Sequence, residues 1–268
     1  MITKTTFKAG AVQFDVKTGD VRDNLSVALA HLEHLADQGA CLGVCPEFFL
    51  TGFDNENITR LMPAVKEGIQ RLTEFARKRS MAVAGSLPEQ EDGQIFNTLY
   101  LIDADGEIRI RYRKLHLFPL TGEHLYYARG DARGDAMGTA DTSLGRVGTM
   151  ICYDLRFPEL ARRLFLDGAR LFVVSAQWPL ARVAHWQALI RARAIENQAW
   201  FICCNRTGTD PDGLVFPGSS MIVDPNGSVL AQGDDKPGII MADIDMDLVD
   251  LVRQTIPVGQ DRREDIYG

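Results

Sequence analysis

Three side chains, each placed where a short apolar run ends, carry the chemistry this sequence offers. Cys152 stands in Gly148-Thr-Met-Ile-Cys152-Tyr-Asp-Leu-Arg-Phe-Pro158, where a strand pattern gives way to a helix pattern a few residues later. A strand–turn–helix of this kind presents a thiol at the carboxyl end of a sheet. Backbone N–H groups and a helix N-terminus there lower the thiol pKa and hold an oxyanion. Most free cysteines are inert small hydrophobes, but the polar Tyr153, Asp154 and Arg156 that follow at once do not fit that role. Glu47, in Cys45-Pro46-Glu47-Phe48-Phe49, lies just past a second strand end among apolar and aromatic neighbours. Desolvation raises a carboxyl pKa towards neutrality, which suits a general acid or base. Lys114, in Tyr112-Arg-Lys114-Leu-His116-Leu-Phe118, closes a third strand. Taken singly, Glu47 reads as a loop glutamate and Lys114 as a solvated lysine. Together with a thiol they make a nucleophile, a base and a cation.

For these groups to meet, the elements around them must form a layered α/β structure. A strand over Phe7–Phe14 is followed by an N-cap at Asp20 and a helix with Leu25, Leu29, Leu32 and Ala36 on one face, stopped by Gly39. Cys41–Cys45 is wholly apolar, as a strand covered on both faces should be, and Pro46 ends it. A helix is expected from about Pro63 to Arg79, then strands Met81–Ser86, Phe96–Asp103 and Glu107–Tyr112, the last two joined by the turn Ala104-Asp105-Gly106. Residues 114–146 read as a long Gly-rich loop, a length that is usually functional. Strands Arg146–Ile151, Arg170–Ser175 and Trp200–Asn205 alternate with helices Phe157–Asp167 and Ala181–Gln198. A second hairpin turns on Pro225-Asn226-Gly227, Ile239–Asp243 is the last strand, and 247–254 is a short helix. The expectation is one α/β domain over 1–268, with a mixed sheet or two sheets covered by helices.

Composition narrows the function. The chain has 268 residues, 46% hydrophobic and 24% charged, the profile of a globular protein that needs no staples. With 29 Lys and Arg against 36 Asp and Glu the net charge is −7, which argues against nucleic acid as a partner. No apolar run approaches the ~18–20 residues of a membrane span. Five cysteines, and an N-terminal stretch too interrupted for a signal peptide, lead us to expect a cytoplasmic protein with reduced thiols. There is no Gly-x-Ser-x-Gly, and the five histidines show no HExxH pattern, so no metal is expected.

The segments CPEFFLTGF around Glu47, YRKLHLF around Lys114 and GTMICYDLRFPEL around Cys152 resemble, in order and broad spacing, the nitrilase superfamily of carbon–nitrogen hydrolases. The resemblance extends from AVQFD near the N-terminus to ARAIENQAWFICCNRTG and the DPNG hairpin, which is nearly the whole chain. KLHLFPLTGEHLYYARGD and SAQWP look most like its ω-amidase branch. The resemblance implies a four-layer αββα sandwich and a Glu47–Lys114–Cys152 triad acting without metal or organic cofactor. Glu47 would take the thiol proton, and Lys114 with the N–H of Tyr153 would stabilise the oxyanion. Glu123, in Gly122-Glu-His, matches the family's second glutamate, which positions the lysine and substrate. It also implies a homodimer or larger assembly through 157–167 and 181–198, with the C-terminal tail, about 255–268, at the interface.

Substrate choice rests on fewer residues. Arg156 could clamp a substrate carboxylate bidentately or pair internally with Glu159. Tyr127 and Trp178 could line the pocket or simply pack in the core. The expected reaction is cleavage of the terminal amide of short dicarboxylic acid monoamides of the 2-oxoglutaramate or 2-oxosuccinamate type. Within the superfamily the alternatives are a deaminated-glutathione amidase, an N-carbamoyl amino acid amidohydrolase and a nitrilase. An inactive scaffold member would be expected to have lost a triad position, and none is lost. A papain-like pairing of Cys152 with His116, two residues from Lys114, is the rival mechanism.

Overall fold

The computed structural model describes residues 5–131 and 137–267. Its elements run β1 (Thr6–Gln13), α1 (Val21–Asp37), β2 (Ala40–Val44), α2 (Ile58–Arg79), β3 (Ala82–Glu91), β4 (Gln94–Ile102), β5 (Ile108–Arg113), β6 (Thr139–Thr142) and β7 (Gly145–Ile151). Then follow α3 (Pro158–Leu166), β8 (Leu171–Ala176), α4 (Val183–Asn197), β9 (Trp200–Asn205), β10 (Thr207–Thr209), β11 (Val215–Pro217), β12 (Met221–Val223), β13 (Val229–Gln232), β14 (Gly238–Asp245), α5 (Asp247–Thr255), α6 (Val258–Asp261) and α7 (Glu264–Tyr267).

Two six-stranded sheets form, ordered β14-β1-β2-β3-β4-β5 and β13-β12-β9-β8-β7-β6. Each holds three parallel strands, β1-β2-β3 in one and β7-β8-β9 in the other. Each is extended by antiparallel strands, two on one side and one on the other. The sheets therefore repeat one arrangement of strand directions, although β6 leads straight into β7 while β14 reaches β1 from the far end of the chain. Helices α1 and α2 cover the outer face of the first sheet and α3 and α4 that of the second. This is the αββα sandwich that the sequence leads one to expect.

The period-two alternation of strands explains the layering. In β1, Ala9 and Ala11 join the core shared with the second sheet, while Val12 joins the core under α1 and α2. Small residues bring the layers close. Gly85 of β3 lies against the Phe49 ring, and a Cβ there would approach it to 2.6 Å. Between the sheets the Ser175 hydroxyl donates to the Cys45 carbonyl at 2.9 Å, binding the end of β8 to the end of β2.

Some boundaries differ from expectation. Helix α2 begins at Ile58, five residues before Pro63, so the proline stands inside the helix just past its first turn and forgoes the i→i−4 hydrogen bond to the Thr59 carbonyl. The loop expected over 114–146 holds β6 and two 3-10 turns, Pro119–Thr121 and Glu123–Leu125, while 132–136 lie outside the described residues. The expected tail contains α6 and α7, with Gly268 outside the described residues. No helix among the described residues is long and apolar enough to cross a membrane.

Candidate active site

The carboxyl ends of the parallel strands of both sheets point to one place, the usual location for ligands in parallel α/β structures. Glu47 follows β2, Cys152 follows β7, Gln177 follows β8 and Asn205 ends β9. Lys114 follows β5, held there because its N–H donates to the Asn97 carbonyl of β4 at 2.8 Å.

Cys152 sits on a sharp turn. Its φ is +43°, in the left-handed region, and it opens the 3-10 turn Cys152–Arg156. The fully buried carboxylate of Asp154 holds the turn closed by accepting the Ile151 N–H at 3.0 Å. Left-handed backbone strains a non-glycine residue and is kept where the surroundings over-determine it. Here the strain turns the thiol into the cavity.

Glu47, Lys114 and Glu123 are each about 1% exposed and meet in one cluster. The Lys114 ammonium donates to Glu47 Oε1 at 2.8 Å and to Glu123 Oε1 and Oε2 at 2.9 and 2.8 Å. Glu47 Oε2 accepts the Gln177 N–H at 3.0 Å, and the Gln177 side chain donates to the Glu47 carbonyl at 2.8 Å. The Cys152 Sγ lies 3.8 Å from the Gln177 carbonyl. Glu47 acts on that thiol as a nearby negative charge and as a hydrogen-bond partner.

The electrostatics follow from burial. Burial pushes the Glu47 carboxyl up, Lys114 opposes this, and the Glu123 charge adds to it. Burial alone would lower Lys114, but the two glutamates outweigh it and hold the ammonium firmly protonated. Burial and the Glu47 charge push the Cys152 thiol well above its ordinary value, against Lys114. The resting site therefore holds a thiol beside a base of raised proton affinity, not the lowered thiol that the turn alone would give.

The cavity above this cluster is lined by Tyr153, Arg156, Trp178, Arg182, Phe118 and the loop after β10, among others. The Arg156 guanidinium lies over the Trp178 ring, 4.7 Å from its centre, with one nitrogen 3.3 Å from His185 Nδ1. It forms no ion pair with Glu159 or any other carboxylate among the described residues. Trp178 is fixed by its indole N–H, which donates to the Arg182 carbonyl at 2.8 Å. Tyr127 sits one layer back, packed on Phe48 and Phe53, and donates its hydroxyl to Asn55, which reaches the cavity. His116 does not pair with Cys152. Its Nδ1 is 2.8 Å from Asp154 and its ring stacks on Phe157 at 3.6 Å. Among the described residues no group of three or more His, Cys, Asp or Glu side chains could hold a metal ion.

Several residues that hold the site were not singled out for it. Asn97 was detectable as an amide in the apolar run Ile95-Phe-Asn97-Thr-Leu-Tyr-Leu-Ile102, and Gln177 as a polar residue ending a buried strand. Asn205 and Arg206, at the end of β9, are two more. Asn205 accepts the Trp178 N–H at 2.6 Å, and Arg206 reaches Gln177 Oε1 at 3.1 Å while pairing with Asp15. Both brace the segment that holds Glu47.

The profile of the carbon–nitrogen hydrolases matches residues 8–254. The chain belongs to this family. Among carbon–nitrogen hydrolases it is 40% identical to a 2-oxoglutaramate amidase of Bacillus subtilis over 258 residues, covering 96% of this chain and 97% of that one. It is 32% identical to the human omega-amidase NIT2, covering 98% of each chain. A crystal structure of a carbon–nitrogen hydrolase from Helicobacter pylori superposes with a TM-score of 0.90 at 27% identity, covering 98% of this chain and 97% of that one. The family is one of hydrolases, and this chain is a carbon–nitrogen hydrolase of the nitrilase superfamily that acts on amides.

Proposed function

We propose that this chain hydrolyses the terminal amide of short dicarboxylic acid monoamides, of the 2-oxoglutaramate or 2-oxosuccinamate type, to the acid and ammonia. The observation that carries the reading is the meeting of Glu47, Lys114 and Cys152 on the floor of a cavity whose wall holds Arg156, which has no carboxylate partner among the described residues. The activities named for the relatives at 40% and 32% identity support it.

Glu47 takes the thiol proton as Sγ attacks the amide carbon, forming the C–S bond. The oxyanion is held by the Lys114 ammonium and the Tyr153 N–H, donors already fixed before the charge develops. Glu47 returns the proton to the amide nitrogen as the C–N bond breaks, and ammonia leaves a thioester on Cys152. Water then attacks the thioester with Glu47 as base, releasing the acid and the thiol. Glu123 keeps the ammonium in place with two hydrogen bonds. Arg156 binds the distal carboxylate, with Trp178 beneath the guanidinium, and Tyr127 shapes the wall through Asn55. No cofactor takes part.

The same reading includes a homodimer or larger assembly through α3, α4 and the tail, supported by exposed Leu166, Ile195, Ile266 and Tyr267 on those elements. It also includes a cytoplasmic setting, supported by the odd count of five cysteines. The deciding experiment measures ammonia release from succinamate, 2-oxoglutaramate, a neutral amide of equal length, a ureido acid and a nitrile. Preference for the two charged amides is expected, and preference for the ureido acid or nitrile refutes the reading. Light scattering at micromolar concentration tests assembly, and a monomer refutes it.

A further inference from the structure

Asn97 lies in β4, is fully buried, and touches the site through Glu47, Lys114 and Glu123. Its side-chain nitrogen donates to Glu47 Oε1 at 2.8 Å and to Glu123 Oε1 at 3.1 Å. An amide nitrogen has two N–H bonds, so both are used on carboxylates. Its Oδ1 is buried with no hydrogen-bond partner. Leaving an acceptor unpaired is costly, yet flipping the amide would turn that oxygen onto two carboxylates. The amide is therefore locked with its nitrogen towards the glutamates. The carbonyl of the same residue receives the Lys114 N–H at 2.8 Å. One residue thus holds the backbone of the lysine and both anions that the lysine neutralises.

We propose that Asn97 is a positioning residue that clamps the Glu47 and Glu123 carboxylates around the Lys114 ammonium and holds Glu47 in the orientation required of a base. This rests on the reading of Glu47 as the base. With Oε1 fixed by Asn97 and Lys114, Oε2 is the edge directed to the Gln177 N–H. No other common side chain does both jobs. Serine or threonine has one donor, aspartate would add a third carboxylate, and glutamine is a methylene too long.

The charged and titratable groups facing Glu47 are Lys114, Glu123 and Cys152, with the Tyr127 hydroxyl feeling its charge from behind. Against these, the Asn97 donor favours the ionised carboxylate. Its loss leaves Glu47 titrating higher.

The test uses Asn97→Ala, Asn97→Asp and Asn97→Ser in the full-length enzyme, with kcat and KM for succinamate followed against pH. For Asn97→Ala we expect kcat to fall roughly 10–100-fold with KM within about threefold, as for a misplaced base. The acid limb of kcat/KM moves up by about one pH unit, further in Asn97→Asp, and Asn97→Ser recovers part of both effects. The rate of Cys152 alkylation by iodoacetamide, read by mass spectrometry, shows the same acid-limb shift without any substrate. Folded variants whose two pH profiles coincide with the wild type overturn the proposal. So does failure of both Asn97→Ala and Asn97→Ser to fold, which would make the residue structural. Glu47→Gln is the control: if it stays active, the reading of the site itself has failed, whatever the Asn97 variants show in alkylation.

Discussion

The Tyr112 hydroxyl donates to Asp154 across 2.7 Å, joining the strand that leads to Lys114 to the turn that carries Cys152. Asp154 also accepts the N–H of His116 at 3.1 Å and contacts its ring at 2.8 Å. Tyr112 and His116 flank Lys114 at a spacing of two, so the carboxylate grips the chain on either side of the lysine. Asp154 thus ties the strand end that carries the lysine to the turn that carries the thiol.

Tyr112→Phe removes one donor and leaves the ring in place. A hydrogen bond to a charged group contributes about 1.5–3 kcal/mol, so the urea midpoint should fall by that equivalent. A brace that ties the lysine to the thiol also predicts a kcat loss of about 10–100-fold with little change in KM. Stability loss with unaltered kcat would reduce the brace to a packing feature.

The strain at Cys152 gives a prediction separate from its chemistry. Cys152→Ala should abolish turnover by several orders of magnitude while the protein stays folded, as expected on removal of a nucleophile. Cys152→Gly should be equally inactive, yet more stable than Cys152→Ala by about 0.5–1 kcal/mol, because glycine meets no penalty at a φ of +43°. The gain is partly offset by the extra freedom of glycine in the unfolded chain. Paired denaturant melts decide it, and a less stable glycine variant argues against strain at the turn.

Much of this site was legible because its members end apolar runs. Glu47, Lys114 and Cys152 each follow a strand whose periodicity is plain, and Asp20 caps α1 as its spacing indicates. The bracing residues were harder to see. Asp154 and His116 stand out beside Cys152 and Lys114, but nothing in the sequence shows that they pair with each other across 38 positions. Strand β6 was hidden because Thr139–Thr142 is short and half-exposed, with little apolar alternation to mark it. Nor does sequence order reveal that Tyr127 points to Asn55, since that depends on how the turns after Lys114 fold back.

The acid limb of kcat/KM should lie above the ordinary carboxylate range near 4.3. Burial raises Glu47, Lys114 opposes, and Glu123 adds to the rise, so the base is lost at a higher pH than a solvated glutamate would be. On the alkaline side, the two glutamates hold the Lys114 proton against burial to well above 10.5, so deprotonation of the lysine should bring no fall below that value. A pH–rate series from 4 to 10 checks both limbs. An acid limb at or below the solvated carboxylate value would mean that Glu47 is not the base.

The last prediction concerns the guanidinium at the cavity wall. Arg156 is stacked on Trp178 and lacks an acidic partner among the described residues, so its charge is available to a ligand. A bidentate contact to a desolvated carboxylate is among the stronger polar interactions a pocket can offer. Its removal by Arg156→Ala should raise the barrier for succinamate by about 2–5 kcal/mol, since the substrate charge is left unpaired. A neutral amide of the same length should lose far less. Arg156→Lys should rescue little, because an ammonium neither forms the planar fork nor stacks on the indole in the same way. Steady-state kinetics on both substrates with the three proteins separate the outcomes. Equal loss on the charged and the neutral amide would make Arg156 a support for Trp178, and the carboxylate would have to be bound elsewhere, with the Arg182 guanidinium on the same cavity as the next residue to substitute.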